Sequence, residues 1–245
     1  MKQKSNSHGW DLFDSIYCIS VKQRTDRREE VLRQFDRLGI AKRVQFMLVE
    51  RHPTNSEQGI YESHVKCLRE GLSAGARHMV VFEDDVVFER YDPARFEEGI
   101  AFLRNHPDWA ILFLGCLVKR SRPTDVPAIR RVEYRCLTHA YAISQSFALN
   151  VIEKPWQDIP YDDMLSRLNA PYFVVNPTFA FQSGAVSDND RRKTLDRFRR
   201  WFGGLRRIQK GNEWYHRNKA WVIALHVAGL GLLLWIVVEA VARNS

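Results

Sequence analysis

Nineteen consecutive residues near the C-terminus, 220–238 (AWVIALHVAGLGLLLWIVV), carry no fixed charge, and only His226 among them can titrate. At about 1.5 Å per residue the run makes a helix about 28 Å long, close to the hydrocarbon thickness of a bilayer. It is apolar on every side, unlike a helix that lies flat on a surface. Trp221 and Trp235 stand toward its two ends, where amphipathic rings favour the headgroup boundary. The sequence therefore predicts a membrane anchor over 220–242 and a body that must fold without it. Between them, residues 191–219 hold eleven basic and two acidic residues, more positive charge than the +8 of the whole chain. The remainder is nearly neutral, so a generally basic, nucleic-acid-binding body is excluded. In this neck, taken as 189–219, Leu195, Phe198, Trp201, Phe202 and Leu205 fall at helical spacing between cations. That pattern suits either a helix resting on anionic lipid headgroups or a solvated helix packed on the body. Cations precede the span and only Arg243 follows it, which predicts a cytoplasmic body on a C-terminal, single-pass anchor.

The body is expected over 15–188, after an N-terminal extension, 1–14, with no long apolar stretch of the kind a secretory leader needs. Cys18, Cys67, Cys116 and Cys136 form no CxxC pair and read as free thiols rather than a zinc site or a disulfide framework. Strand and helix patterns alternate. A strand at 15–21 precedes a helix capped by Asp26 with Glu29, striped by Val31, Leu32, Phe35 and Leu38 and stopped by Gly39. Strands follow at 43–49, 78–82 and 109–115, separated by helices at 60–72 and 93–104. This order predicts an α/β sandwich around a mainly parallel sheet, with a ligand at the carboxyl ends of the strands. Further on, 119–127 reads as a polar loop serving as a lid or facing an acceptor. A strand at 139–144, a helix to about 154, a helix at 160–168 and a strand at 172–175 lead to 177–183, which closes the body.

Glu83, Asp84 and Asp85 directly follow a fully apolar strand. Three adjacent carboxylates repel one another unless a counter-charge offsets them, and hard divalent cations take oxygen ligands. Alternation sends Glu83 and Asp85 to one side and Asp84 to the other. An acidic-x-acidic pair at a strand end can hold a metal on the diphosphate of a sugar nucleotide, with the metal as Lewis acid for the leaving group. An acidic turn capping the next segment fits the same residues.

The cluster is accompanied, in one order, by Ser20-Val21-x-x-Arg24-x-x-Arg27, Glu62-Ser63-His64 opening a helix, Phe82 to Val86, Ala140-Tyr141-Ala142-Ile143-Ser144, Tyr161-Asp162-Asp163-Met164 and the late Gln182. Together these resemble glycosyltransferase family 25, over nearly the whole body. The resemblance implies a GT-A-like sandwich and a sugar, galactose or a related hexose, moved with inversion from a nucleotide donor, commonly a UDP-sugar. Its bacterial members imply a lipopolysaccharide or other surface glycoconjugate as acceptor, and hence a bacterial inner membrane. It implies Mn²⁺ (or Mg²⁺) at Asp85 and Glu83, and donor contacts from Ser20, Arg24, Arg27, Ser63, His64, Glu83, Asp84 and Gln182. Inversion needs a general base. Asp162 and Asp163 are the candidates and Asp163 is favoured, although N-capping explains one of them equally well. The chain departs from the family at Val49-Glu50-Arg51-His52-Pro53, where members often carry Asp-Gly. Its partners are thus expected to be a nucleotide sugar, a glycolipid or polysaccharide acceptor, and anionic lipids at the neck. Two other classes stay open: a catalytically silent membrane-anchored protein that binds sugar nucleotides or scaffolds other enzymes, and a metal-dependent phosphohydrolase.

Overall fold

The computed structural model describes residues 8–183 and 204–243. The first part of the expected neck, 189–203, lies outside the described residues, so the amphipathic spacing of Leu195, Phe198, Trp201 and Phe202 is not among them.

β1 (Ser15–Val21), β2 (Val44–Val49) and β3 (His78–Glu83) are joined by α1 (Thr25–Leu38) and α2 (Ser56–Ser73). β1 pairs in parallel with both β2 and β3. The first crossover moves outward from β1 to β2, and the second returns past β1 to β3. Because both crossovers of this type are right-handed, the two helices fall on opposite faces of the sheet. The side chains record this with a period of two. Val80 and Phe82 enter one core with Val31, Phe35 and Leu38 of α1, while Met79 and Val81 enter the other with Tyr61, Val65 and Leu68 of α2.

The chain continues through β4 (Val86–Phe88), α3 (Pro93–Asn105), β5 (Ile111–Phe113), β6 (Leu117–Pro123), β7 (Ile129–Cys136) and β8 (Ala140–Ser144). α4 (Gln145–Ile152), α5 (Tyr161–Arg167), β9 (Tyr172–Val175), β10 (Ala180–Gln182) and the 40-residue α6 (Gly204–Arg243) complete it. The eight-stranded sheet has the order β2-β1-β3-β8-β5-β9-β7-β6, and β10 with β4 forms a separate antiparallel pair. Six of the eight strands point the same way; β8 runs against β3 and β5, and β7 against β9 and β6. The mainly parallel α/β sandwich is as the sequence predicts.

Three local readings change. Asp26 does not cap α1: Arg24 stands at the N-cap position without a side-chain bond, and its guanidinium grips the Asp26 carboxylate at 2.9 and 3.0 Å. That contact draws the Asp26 carboxyl down to about 2. Gly39 does end α1, with φ at +73°, a conformation that costs glycine nothing. α2 begins two turns earlier than Glu62-Ser63-His64, where the Asn55 side chain accepts the amides of Glu57 and Gln58. Finally, 119–127 is no lid: most of it belongs to β6, which pairs antiparallel with β7. Its cations mask the strand pattern because an edge strand tolerates them on exposed positions. The cysteines are free, with Cys18, Cys67 and Cys116 buried.

α6 runs unbroken from the neck into the apolar segment. Its N-terminal turns dock on the body. The Asn212 side-chain amide donates to the Val118 carbonyl and its oxygen accepts the Val118 amide, at 3.1 and 3.0 Å. Buried Gln209 donates to the Ala180 carbonyl at 2.8 Å. Most of the described side chains beyond residue 220 are exposed: Trp221 is 74% exposed and Leu234 67%. Among the described residues this is the one helix long and apolar enough to cross a membrane.

Candidate functional site

β1 lies between β2 and β3, so the carboxyl ends of β1 and β3 flank the point where the chain winding reverses, the usual crevice for a ligand in such sheets. Ser20 is the next-to-last residue of one of these strands and Glu83 the last of the other. The three carboxylates then diverge.

Asp84 turns toward α1. Its Oδ2 accepts the Ser20 hydroxyl at 2.7 Å and its Oδ1 the Arg27 guanidinium at 3.2 Å. Burial raises the Asp84 carboxyl above its ordinary value, with Ser20 and Arg27 pulling against it. Arg28, which sequence reasoning missed, donates to the Ser20 hydroxyl and to the Val21 and Lys22 carbonyls. It therefore fixes the turn that follows β1.

Glu83 turns toward α2 and β8. Its Oε1 accepts the Thr138 hydroxyl at 3.2 Å and faces His64 Nε2 at 3.5 Å. Burial would raise this carboxyl, but His64, His139 and Thr138 hold it below the usual carboxylate range. His64 is 1% exposed. Its Nδ1 meets the Tyr141 hydroxyl, which meets the Tyr161 hydroxyl, both at 3.1 Å, and its ring stacks on Tyr161 at 4.4 Å. Thr138 and His139 reach Glu83 because β8 is antiparallel to β3, so its first residues lie where β3 ends. Burial lowers the proton affinity of His139.

Asp85 has the third environment. Pairing of β10 with β4 sets Gln182 opposite Val86. The Gln182 amide donates to Asp85 Oδ2 at 2.9 Å, and the Ser183 amide to the Asp85 carbonyl at 2.8 Å. Asp85 Oδ1 is buried without a hydrogen-bond partner among the described residues. Burial, then the negative charge of Glu83, push this carboxyl up to about 7. A buried carboxylate oxygen held ionised only against a neighbour's repulsion is a place for a cation. Among the described residues no three His, Cys, Asp or Glu side chains converge on one position.

The structure thus brings together Ser20, Arg27, His64, Glu83, Asp84, Asp85 and Gln182. Two expected donor contacts are engaged elsewhere: Arg24 in its pair with Asp26, and the Ser63 hydroxyl in a 2.6 Å bond to the Gly59 carbonyl one helical turn back. At the start of α5 the two aspartates separate. Asp162 is buried and accepts the Asp163 amide at 3.0 Å, while Asp163 is half-buried. A cavity of about 330 Å³ between α2 and residues 154–156, lined in part by Tyr61, Lys66, Arg69 and Trp156, includes none of these carboxylates.

No family model matches the chain. Curated relatives do. A bovine protein named probable inactive glycosyltransferase 25 family member 3 is 26% identical over 187 residues, covering 62% of this chain and 31% of its own length. Its human counterpart, named inactive, is 25% identical over 185 residues. A Drosophila melanogaster glycosyltransferase 25 family member is likewise 25% identical, over 62% of this chain and 30% of its own. The chain is similar to glycosyltransferase 25 family members at 25–26% identity. It spans about a third of the length of these curated proteins. Solved structures are more distant: A197 from STIV has a TM-score of 0.46 at 12% identity, over 71% of this chain and 86% of its own. A glycosyltransferase that acts in glycosylation of the major capsid of PBCV-1 has 0.43 at 11%, over 74% and 98%. The placement of each side chain in the cluster rests on the strand pairing described above.

Proposed function

We propose that this chain is a metal-dependent, inverting glycosyltransferase held by α6 at the cytoplasmic face of a membrane. It would move a hexose from a nucleotide-sugar donor, commonly a UDP-sugar, to a glycolipid or polysaccharide acceptor such as lipopolysaccharide. The observation that carries this reading is the Asp85 carboxylate, aimed and buried with one oxygen unbonded beside Glu83 at the carboxyl end of β3. Asp85, with Glu83 beside it, would hold Mn²⁺ or Mg²⁺, which supplies positive charge where a leaving diphosphate gains negative charge. Arg27 stands 3.2 Å from Asp84 and can shift a guanidinium hydrogen bond onto a donor phosphate. Gln182 orients Asp85, and the His64–Thr138 pair orients Glu83. Asp163 is the general base in this reading, because Asp162 already spends an oxygen on the Asp163 amide. It would take the proton from the acceptor hydroxyl as that oxygen attacks the anomeric carbon, opposite the departing diphosphate.

A second reading has its own support: two of the curated relatives are named inactive. On that reading the same site binds sugar nucleotides without transfer. Calorimetric titration of the detergent-solubilised full chain with UDP and UDP-sugars, with Mn²⁺ or with chelator, tests the first step. Metal-dependent binding lost in Asp85→Asn supports the donor site, and absence of binding to any nucleotide sugar refutes both readings. Transfer to an acceptor extract then separates a working enzyme from a silent one.

A further inference from the structure

We propose that the β6–β7 hairpin, together with the adjoining turns of α6, forms a cationic face that rests on anionic lipid headgroups. This rests on the reading of α6 as a membrane anchor, and it assigns a membrane contact to the body itself. The two strands carry Lys119, Arg120, Arg122, Arg130, Arg131 and Arg135 against the single acid Glu133. Register sets Arg120 opposite Glu133 and Arg122 opposite Arg131. Cross-strand partners share a face and alternate residues lie on the same side, so Arg120, Arg122, Arg131, Glu133 and Arg135 occupy one surface. The Arg120–Glu133 pair spans 3.5 Å with both side chains more than half exposed and is worth little in water. Like charges directly opposed, as at Arg122 and Arg131, weaken a sheet unless an outside counter-charge offsets them. The protein accumulates cations here rather than neutralising them.

What lies next to the hairpin identifies the counter-charge. Asn212 clasps the backbone of Val118, and the apolar run begins eight residues later, about 12 Å along the helix. Headgroup layers add several ångströms beyond the hydrocarbon on each side, and extended arginine side chains reach across the rest. Arg217 lies close enough to Arg130 to lower its proton affinity, after the larger effect of burial. Arg130 lies on the opposite face of β7 from Arg131, so the helix cations up to Lys219 border the edge of the hairpin rather than extend its exposed face. A polybasic surface beside a spanning helix is the arrangement that anionic lipids attract, each cation strengthening residence about five-fold.

The test places the full chain in nanodiscs of neutral lipid, or with part of that lipid replaced by an anionic one, and follows amide hydrogen exchange over 117–136. The expected result is slower exchange in the anionic discs alone. High salt should reverse it, and so should the triple variant Arg122→Gln, Arg131→Gln, Arg135→Gln, which changes exposed side chains only. Extraction of vesicles with alkaline carbonate reports the anchor separately. Retention with equal exchange in both lipids overturns the hairpin contact and leaves the anchor standing. Release by carbonate overturns the anchor, and the proposal with it.

Discussion

Replacing Asp85 by asparagine should stabilise the apo protein, and more so as the pH rises. The Asp85 carboxyl stands at about 7 in the fold against an ordinary 3.8. Its folded value is raised, so the folded state is favoured while the group stays protonated. That advantage is complete below about 3.8 and is lost as the pH climbs through about 7. At 1.36 kcal/mol per unit, the cost of ionising it in the fold grows by about 2.5 kcal/mol between pH 5 and pH 8. For a chain of this size that is about 5–10 °C in Tm. Asparagine keeps an oxygen for the Gln182 amide and places an uncharged group where Asp85 Oδ1 now meets the field of Glu83. Melts of the solubilised full chain and of Asp85→Asn, with chelator, should therefore diverge in favour of the variant by about 5–10 °C more at pH 8 than at pH 5. Adding Mn²⁺ at pH 8 should raise the Tm of the native chain and leave the variant unchanged. A difference in Tm independent of pH, or one that grows toward pH 5, would refute the argument that burial and Glu83 hold this proton.

Gly115→Ala should be severely destabilising, by at least about 2 kcal/mol, because a Cβ there runs into the Ala180 carbonyl and the Gln209 amide. Urea melts would show this, and weaker donor binding should accompany it, since β10 also carries Gln182. Asn212→Ala should cost about 1–2 kcal/mol from its two lost bonds to Val118 and speed amide exchange in β6. Unchanged exchange would mean the clasp does not hold α6 to the sheet. For the general base, Asp163→Asn should lower transfer about 10²–10⁴-fold with donor affinity kept. An equal loss confined to Asp162→Asn would move the role to its neighbour.

Much of the site was legible because its residues sit beside strong local signals. The apolar run 78–82 leads straight into Glu83-Asp84-Asp85, and strand alternation correctly separates Asp84 from its neighbours, as its bonds to Ser20 and Arg27 show. Other parts depend on pairing between distant segments. Nothing local to Thr138 or His139 indicates that β8 reverses direction and delivers them to Glu83. Ser63 and Arg24 each have a near protein partner, a helix carbonyl and an adjacent aspartate, that local pattern does not disclose. β6 does not show a strand pattern in the sequence because edge strands carry cations on exposed positions, where periodic hydrophobicity is weak.

The sequence by itself determined the alternating elements, the apolar terminal run and the cationic neck. Composition and periodicity act over a few turns and need no partner to be read. Tertiary structure alone decided that the neck helix docks on Val118 and Ala180, that β10 brings Gln182 to Asp85, and that three adjacent carboxylates have three separate environments. Each of these rests on contacts between residues far apart in the chain, whose register is set by packing both faces of the sheet at once.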